Sequence, residues 1–299
     1  MTGNAFENVL EIAKETILRH DMLEKGDRVL VALSGGPDSV CMLNILDELR
    51  ADFSLDLCVA HFDHKLRPAA EQDVEFARKM AERMGVVFLT GSDDVRAFAE
   101  EQKLSIEDAA RRLRYEFLLR SALSLGAGKV AVGHNADDQA ETVLMRLIRG
   151  SGPRGLAGIP PTRPLVKGGG PKIIRPLIDV WRADIMGHLS ARGLKFRKDE
   201  TNDSTEFLRN KIRLELIPGL EKEYNPRIKR RLASAASALA AENDFMEIES
   251  GLLAGEMMLE KKPGWIVFEA SMLDMLHPAL RARVFSLLVS MAAPDPGSP

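Results

Sequence analysis

Apolar and polar positions along the chain fall into an alternating series. Residues 29–33, Val-Leu-Val-Ala-Leu, are apolar throughout with no polar alternation, the pattern of a parallel strand covered on both faces. Similar short runs stand at 55–60, 86–89, 129–133 and 172–174. Between them apolar residues recur at helical spacing, which predicts helices over 40–49, 70–84 and 137–149 and two more within 93–126. Another amphipathic helix over 5–18 precedes the series. Strands separated by helices need crossover connections, so the pattern predicts an α/β fold, a doubly wound parallel sheet with helices on both faces. Ligands in such sheets bind beyond the carboxyl ends of the strands. Three loops, at 34–39, 61–64 and 133–135, fall at those ends and are expected to converge on one crevice.

Beyond Pro176 the pattern changes. A helix is expected over 183–192, then a turn at Asp199-Glu200-Thr201-Asn202-Asp203. Leu208-Arg209-Asn210-Lys211-Ile212-Arg213, followed by Arg227, Lys229, Arg230 and Arg231, is a locally basic stretch. Residues 233–253 read as an alanine-rich helix, 265–268 as a short strand or hairpin and 278–291 as a last helix; the Pro-Asp-Pro-Gly-Ser-Pro end reads as disordered. With 299 residues the chain exceeds a usual single domain. The division expected is a catalytic domain over 1–220 and a smaller, mainly helical domain over 221–299.

Composition narrows the classes. Hydrophobic residues at 45% can build a core, while charged residues at 28% argue for a soluble protein and the lack of any run of about twenty apolar residues argues against a membrane-spanning helix. Cys41 and Cys58 stand alone and far apart, which excludes a disulfide framework and any zinc or iron–sulfur spacing. The N-terminal helix carries acids, unlike a signal peptide, so a cytoplasmic protein is expected. The formal net charge of -3 argues weakly against nucleic acid, but the basic stretch after Leu208 argues locally for it.

The strongest chemical signal is Ser34-Gly35-Gly36-Pro37-Asp38-Ser39, between the 29–33 strand and the next helix. Strand, glycine turn and helix start aim backbone N–H groups and a positive helix end at an anion. Ser34 and Ser39 add hydroxyls. Asp38 beside a phosphate needs a cation between them, which suggests Mg²⁺. Neither a Walker A loop nor a Gly-x-Gly-x-x-Gly turn is present. SGGPDS resembles the PP-loop signature of ATP pyrophosphatases, which split ATP between its α and β phosphates; an ordinary tight βα turn is the plain alternative.

Three further stretches carry polar chemistry. His61-Phe62-Asp63-His64-Lys65-Leu66-Arg67 follows a buried strand: it offers nucleotide contacts, with Arg67 as a phosphate partner, or a capped loop whose histidines are satisfied by backbone. In 133–150, Ala140, Val143, Leu144, Leu147 and Ile148 form one stripe, expected to be buried. Asn135 is placed to cap this helix and a first-turn acid suits its dipole. Glu141 has no such explanation; it lies one turn from Asp138 on a neighbouring flank, where the pair could hold a metal ion or an ammonium group. Arg111 and Arg114 share a helix face, and an arginine reaching the crevice could neutralise charge developing on an α-phosphate.

In order, SGGPDS, HFDHKLR, EDAARRLRY, GHNADDQAETVLMRLIRGSGPRGLAGIPP, IIRPL, DETND and LRNKIR resemble the tRNA(Ile)-lysidine synthetases over about residues 27–220. The resemblance implies an adenine nucleotide alpha hydrolase-like fold and a ligase reaction. ATP adenylates C2 of the wobble cytidine of CAU-anticodon tRNA(Ile), and free L-lysine then displaces AMP. It implies ATP and Mg²⁺ at Ser34, Gly35, Gly36, Pro37, Asp38 and Ser39, with His61 and His134 as further nucleotide contacts. Arg114 would sit near the activated phosphate or the lysine carboxylate, and Asp138 and Glu141 would receive the lysine ammonium groups. Arg67, Arg209, Asn210 and Arg213 would face tRNA, the 221–299 domain would dock it, and the glycine-rich 150–158 loop would close over the site. A homodimer is a candidate assembly.

Two departures stand out. Many members carry a further C-terminal domain, so a natural short form or a truncated product is expected, and truncation would impair acceptor-stem recognition. Asp63 stands where members often have Asn. The competing enzyme is a PP-loop tRNA thiolase, for which Cys41 and Cys58 are badly placed; the competing non-enzyme is a nucleotide-sensing or RNA-binding module.

Overall fold

A computed structural model describes residues 5–65, 70–166, 168–197, 208–262 and 264–292. The sheet-forming part runs α1 (Ala5–Arg19), β1 (Arg28–Ala32), α2 (Pro37–Glu48), α3 (Arg50–Phe53), β2 (Asp56–Asp63), α4 (Ala70–Met84), β3 (Val87–Ser92), α5 (Val95–Gln102), α6 (Ile106–Leu125), β4 (Lys129–Ala131), α7 (Ala136–Ile148), α8 (Pro153–Leu156), β5 (Thr162–Val166), β6 (Gly169–Ile174) and α9 (Arg182–Ala191). Its strands stand in the order β3-β2-β1-β4-β6-β5, parallel except for β5. The chain moves outward from β1 to β3, then returns to place β4 on the other side of β1. The order therefore reverses between β1 and β4, and the loops leaving these two strands flank the switch-point crevice.

β1 shows why its run of apolar residues is unbroken. Val29 and Val31 belong to one core, shared with α1, α2, α4 and α9, while Leu30 belongs to the opposite core beneath α6. Alternate residues are thus buried on both faces. β5 went unanticipated: its Pro164 interrupts the apolar pattern, and proline is tolerated there because β5 is an antiparallel edge strand. The stripe on α7 is shorter than expected. Ala140, Val143 and Leu144 are buried, but Leu147 and Ile148 are each 56% exposed, because the helix runs past its neighbours in its last turn.

After residue 208 come α10 (Leu208–Lys211), a π-helical turn Ile212–Leu216, α11 (Ile217–Glu223), α12 (Ile228–Met257), the hairpin β7 (Met258–Lys262) and β8 (Trp265–Phe268), α13 (Ala270–Met275) and α14 (Pro278–Ala292). The alanine-rich helix is longer than its pattern suggested and serves two partners. Its earlier turns pack on α7 and α8, and at its middle Asn243 Nδ2 donates to Pro153 O at 3.2 Å. Its second half buries Ala254 and Met257 against Val284 and Leu288 of α14 in a separate apolar cluster. Among the described residues no helix is long and apolar enough to cross a membrane. The turn expected at 199–203 and Arg67 lie outside the described residues.

Candidate active site

The Ser34–Ser39 loop is built as a cradle. Gly35 takes φ +85°, a left-handed conformation that favours glycine, and Gly36 caps α2 in extended conformation with Pro37 at its first position. Ser39 Oγ donates to Gly36 O at 2.9 Å and lies 3.1 Å from Ser34 Oγ, which also accepts from Gly36 N at 3.3 Å. Gly133, at the end of β4, approaches so closely that a Cβ would lie 3.2 Å from the Asp38 carbonyl carbon and the Ser39 nitrogen. The two switch-point loops therefore touch through a glycine.

Asp38 is held from two sides. Asn135 Nδ2 donates to its Oδ1 at 3.0 Å, and the Arg182 guanidinium, at the start of α9, pairs with its Oδ2. Burial pushes the carboxyl up from its ordinary range, against the opposing pull of Arg182. Asn135 also closes a capping box on α7: its side chain accepts from Asp138 N at 3.1 Å, while Asp138 Oδ2 accepts from Asn135 N at 2.9 Å. Asp137 accepts from Arg182 N at 2.8 Å and from Lys229 Nζ at 3.0 Å, so it ties α7 to α9 and α12.

Asp138 and Glu141 lie one turn apart on α7, as the spacing required, and they share partners. Arg209 donates through Nε to Glu141 Oε2 at 2.9 Å and through its terminal NH2 nitrogen to Asp138 Oδ1 at 2.8 Å. Arg213 grips Glu141 bidentately, at 2.5 and 2.9 Å. Glu141 is only 2% exposed, so two guanidiniums compensate its buried charge. The acidic pair and the two arginines, read from sequence as separate sites, form one network. Asn210 sits between the arginines on the short α10.

The two histidines are fixed differently. His61 Nδ1 meets Leu33 O at 2.8 Å, so it carries the proton there, and burial lowers the ring's pKa. This bond is the backbone satisfaction that a capped loop predicts. His134 accepts at Nδ1 from Arg175 Nε at 3.3 Å, leaving Nε2 as the donor of a neutral ring; burial, then Arg175, hold its pKa well below the usual value. Arg114 is half-buried against the Tyr115 ring, with Arg111 and Arg163 over the same ring. Burial alone would raise the Tyr115 phenol pKa, but Arg111, Arg114 and Arg175 outweigh it and lower it.

Residues 5–220 match the PP-loop domain family. The chain belongs to that family. Among curated relatives, the tRNA(Ile)-lysidine synthase of Clostridioides difficile is 37% identical over 93% of this chain and 58% of its own length. That of Geobacter sulfurreducens is 41% identical over 98% of this chain and 61% of its own, and that of Symbiobacterium thermophilum 43% over 80% and 49%. The chain thus spans about half to three-fifths of the curated relatives it matches. The U34-tRNA thiolase NcsA from Methanococcus maripaludis, solved with its [4Fe-4S] cluster, superposes with a TM-score of 0.66 at 22% identity over 79% of each chain. That likeness is one of fold.

In this PP-loop protein several residues that complete the site carried little local signal. Arg182 reaches Asp38 across 144 positions of sequence. Arg197 donates from its backbone to Gly35 O at 2.8 Å and from its side chain to Asp73 at 2.8 Å, bracing the cradle from outside. Arg175 and Tyr115 did lie within singled-out blocks, IIRPL and EDAARRLRY, but without roles of their own. Cys41 and Cys58 are buried, and burial pushes the Cys41 thiol up to about 12.

Proposed function

We propose that this chain ligates free L-lysine to C2 of the wobble cytidine of CAU-anticodon tRNA(Ile), forming lysidine in the cytoplasm. The observation that carries this reading is the Asp138–Glu141 pair, half-buried and buried respectively, beside the PP-loop cradle. Two carboxylates one turn apart, already satisfied by cations, suit a dibasic amino acid. The names of the curated relatives support the same reaction. In the first step the C2 oxygen of cytidine attacks the α-phosphorus of ATP and pyrophosphate leaves. In the second, the lysine amine forms the C2–N bond, AMP departs with the oxygen, and the amine proton passes to a carboxylate or water.

The cradle residues Ser34–Ser39 hold the phosphates, and Arg114 offsets charge growing on the α-phosphate. His134 presents its Nε2 proton as a donor to the nucleotide; His61, its Nδ1 committed to Leu33, presents an acceptor. Asp38 fits Mg²⁺: it is a carboxylate that already holds a cation, and Mg²⁺ is usually bound by one or two carboxylates plus substrate phosphates. That ion would neutralise phosphate charge. L-Lysine enters by exchanging with Arg209 and Arg213 on the acidic pair, and the released arginines, with Asn210 and Arg67, face RNA phosphates. The 150–158 segment covers the site against water, and residues 221–299 dock the tRNA. A homodimer is the assembly we expect, checked by sedimentation. The buried thiols argue against sulfur insertion.

The test is pyrophosphate release from ATP and Mg²⁺ with transcribed CAU-anticodon tRNA(Ile), with and without L-lysine, together with mass analysis of the wobble nucleoside. Lysine mass on that cytidine is the expected result. Release with no lysine incorporated would overturn the second step, and no release from folded protein would overturn the first.

A further inference from the structure

The reaction above uses only one of a group of arginines on the α6 side of the crevice. Arg111, Arg114 and Arg163 stand with their guanidinium carbons 5.1, 5.7 and 5.1 Å from the Tyr115 ring centroid. Arg175, only 2% exposed, lies close by and donates to Pro160 O at 2.7 Å and His134 Nδ1 at 3.3 Å, both neutral acceptors. Among the described residues none of these four pairs with a carboxylate. Arg182, Arg192, Arg197, Arg209 and Arg213 all do. Four cations gathered without an anion repel one another, and the buried one is also desolvated. Such a set is completed by an anion from outside.

Its position says which kind. Arg175 directly follows β6, and Arg163 pairs in register with Ile173 at the same end of the sheet. His134 links Arg175 to the loop after β4, whose Gly133 lies against Asp38. Arg111 is exposed and Arg163 half-buried, so the group opens to solvent at the rim of the crevice. We propose that Arg111, Arg163 and Arg175, set round Tyr115, form a second phosphate-binding site adjoining the PP-loop, which takes either a backbone phosphate flanking the target base or the departing pyrophosphate. Planar guanidiniums match phosphate oxygens in a way that a lysine set does not. The lowered phenol pKa of Tyr115 reports the same unbalanced positive field. The choice of RNA as one source rests on the reaction proposed above; the site itself does not.

The experiment is an Arg111→Ala/Arg163→Ala double variant beside the wild-type chain. Binding of transcribed CAU-anticodon tRNA is followed by anisotropy at two salt concentrations, and binding of pyrophosphate and ATP by calorimetry. If the source is RNA, the tRNA Kd rises about tenfold and its salt slope shallows by about 1 to 2, with pyrophosphate unchanged. If the source is pyrophosphate, its Kd rises about tenfold and tRNA binding stays. An Arg111→Lys/Arg163→Lys variant separates charge from fit and serves as the folded reading if the alanine pair melts early. Wild-type affinity for both ligands in a double variant of unchanged melting temperature overturns the proposal. A wild-type chain that binds neither does so too. Absence of lysidine formation by the wild-type chain, with either binding shift present in the variant, counts against the proposed reaction and leaves this site standing.

Discussion

Two charged regions face each other across the switch-point crevice, and they are balanced in opposite ways. On the α7 side, Asp138 and Glu141 are matched by Arg209 and Arg213 through geometry that satisfies nearly every oxygen. On the α6 side, Arg111, Arg114, Arg163 and Arg175 surround Tyr115, and among the described residues none of them pairs with a carboxylate. The first region is complete without ligand and holds α10 and the following turn onto α7. The second has no such partner among the described residues. Asp38, half-buried in the cradle, is paired with Arg182. A paired network contributes to folding while it waits, whereas an unpaired one is tolerated for what it binds.

The largest expected effect comes from unbalancing the paired side. Glu141→Gln should lower lysine incorporation about a hundredfold while tRNA-dependent pyrophosphate release stays within about threefold, since in the proposed reaction only the second step uses the pair. The same variant should lose about 2 kcal/mol of stability by denaturant melting, below the range for a fully buried pair because the arginines are partly exposed. Asp38→Asn should instead cut pyrophosphate release itself by about a hundredfold, measured before any lysine is added. If both variants failed at the same step, the division between the two regions would collapse.

Smaller effects sharpen the division. Gly133→Ala should destabilise the chain by about 1–3 kcal/mol, because the added methyl would press on the Asp38 and Ser39 backbone. A pH series reads the histidines. His61 and His134 have folded-state pKa values lowered by burial, so the unfolded chain binds protons first as pH falls through about 6.5, and stability should decline there. Melting at pH 5.5 against 7.5 checks this, and His134→Asn should shrink the difference. Asp38, pushed the other way, contributes the opposite slope at lower pH, so the comparison is best repeated in Asp38→Asn. The smallest effect is expected from Arg111→Ala/Arg163→Ala, whose stability should rise, by no more than about 0.5 kcal/mol, as two mutually repelling cations are removed.

Much of the fold was legible because parallel strands advertise themselves. A run such as 29–33 can only be buried on both faces, and the helices between such runs leave little choice of topology. The cradle was legible because its glycines, proline and serines act on neighbours within a few residues. Asn135 was likewise readable as a cap, and the Asp138–Glu141 spacing fixed their shared flank. What stayed hidden was decided over long distance. Arg182 and Arg197 look like ordinary surface cations until the sheet brings α9 and the segment after it against the first loop. β5 was obscured by Pro164, and the exposure of Leu147 and Ile148 depends on where α12 and the π-helical turn stop covering α7. The mutual pairing of the acidic and basic motifs could not be seen, because each motif alone was chemically sufficient for a ligand.

The most direct measurement of the central claim is the mass of the wobble nucleoside after incubation of tRNA(Ile), ATP, Mg²⁺ and L-lysine with wild type and Glu141→Gln. The expected result is cytidine carrying the mass of lysine with wild type, and unmodified cytidine with pyrophosphate still released with the variant. Lysine incorporation at wild-type rate by Glu141→Gln would contradict it.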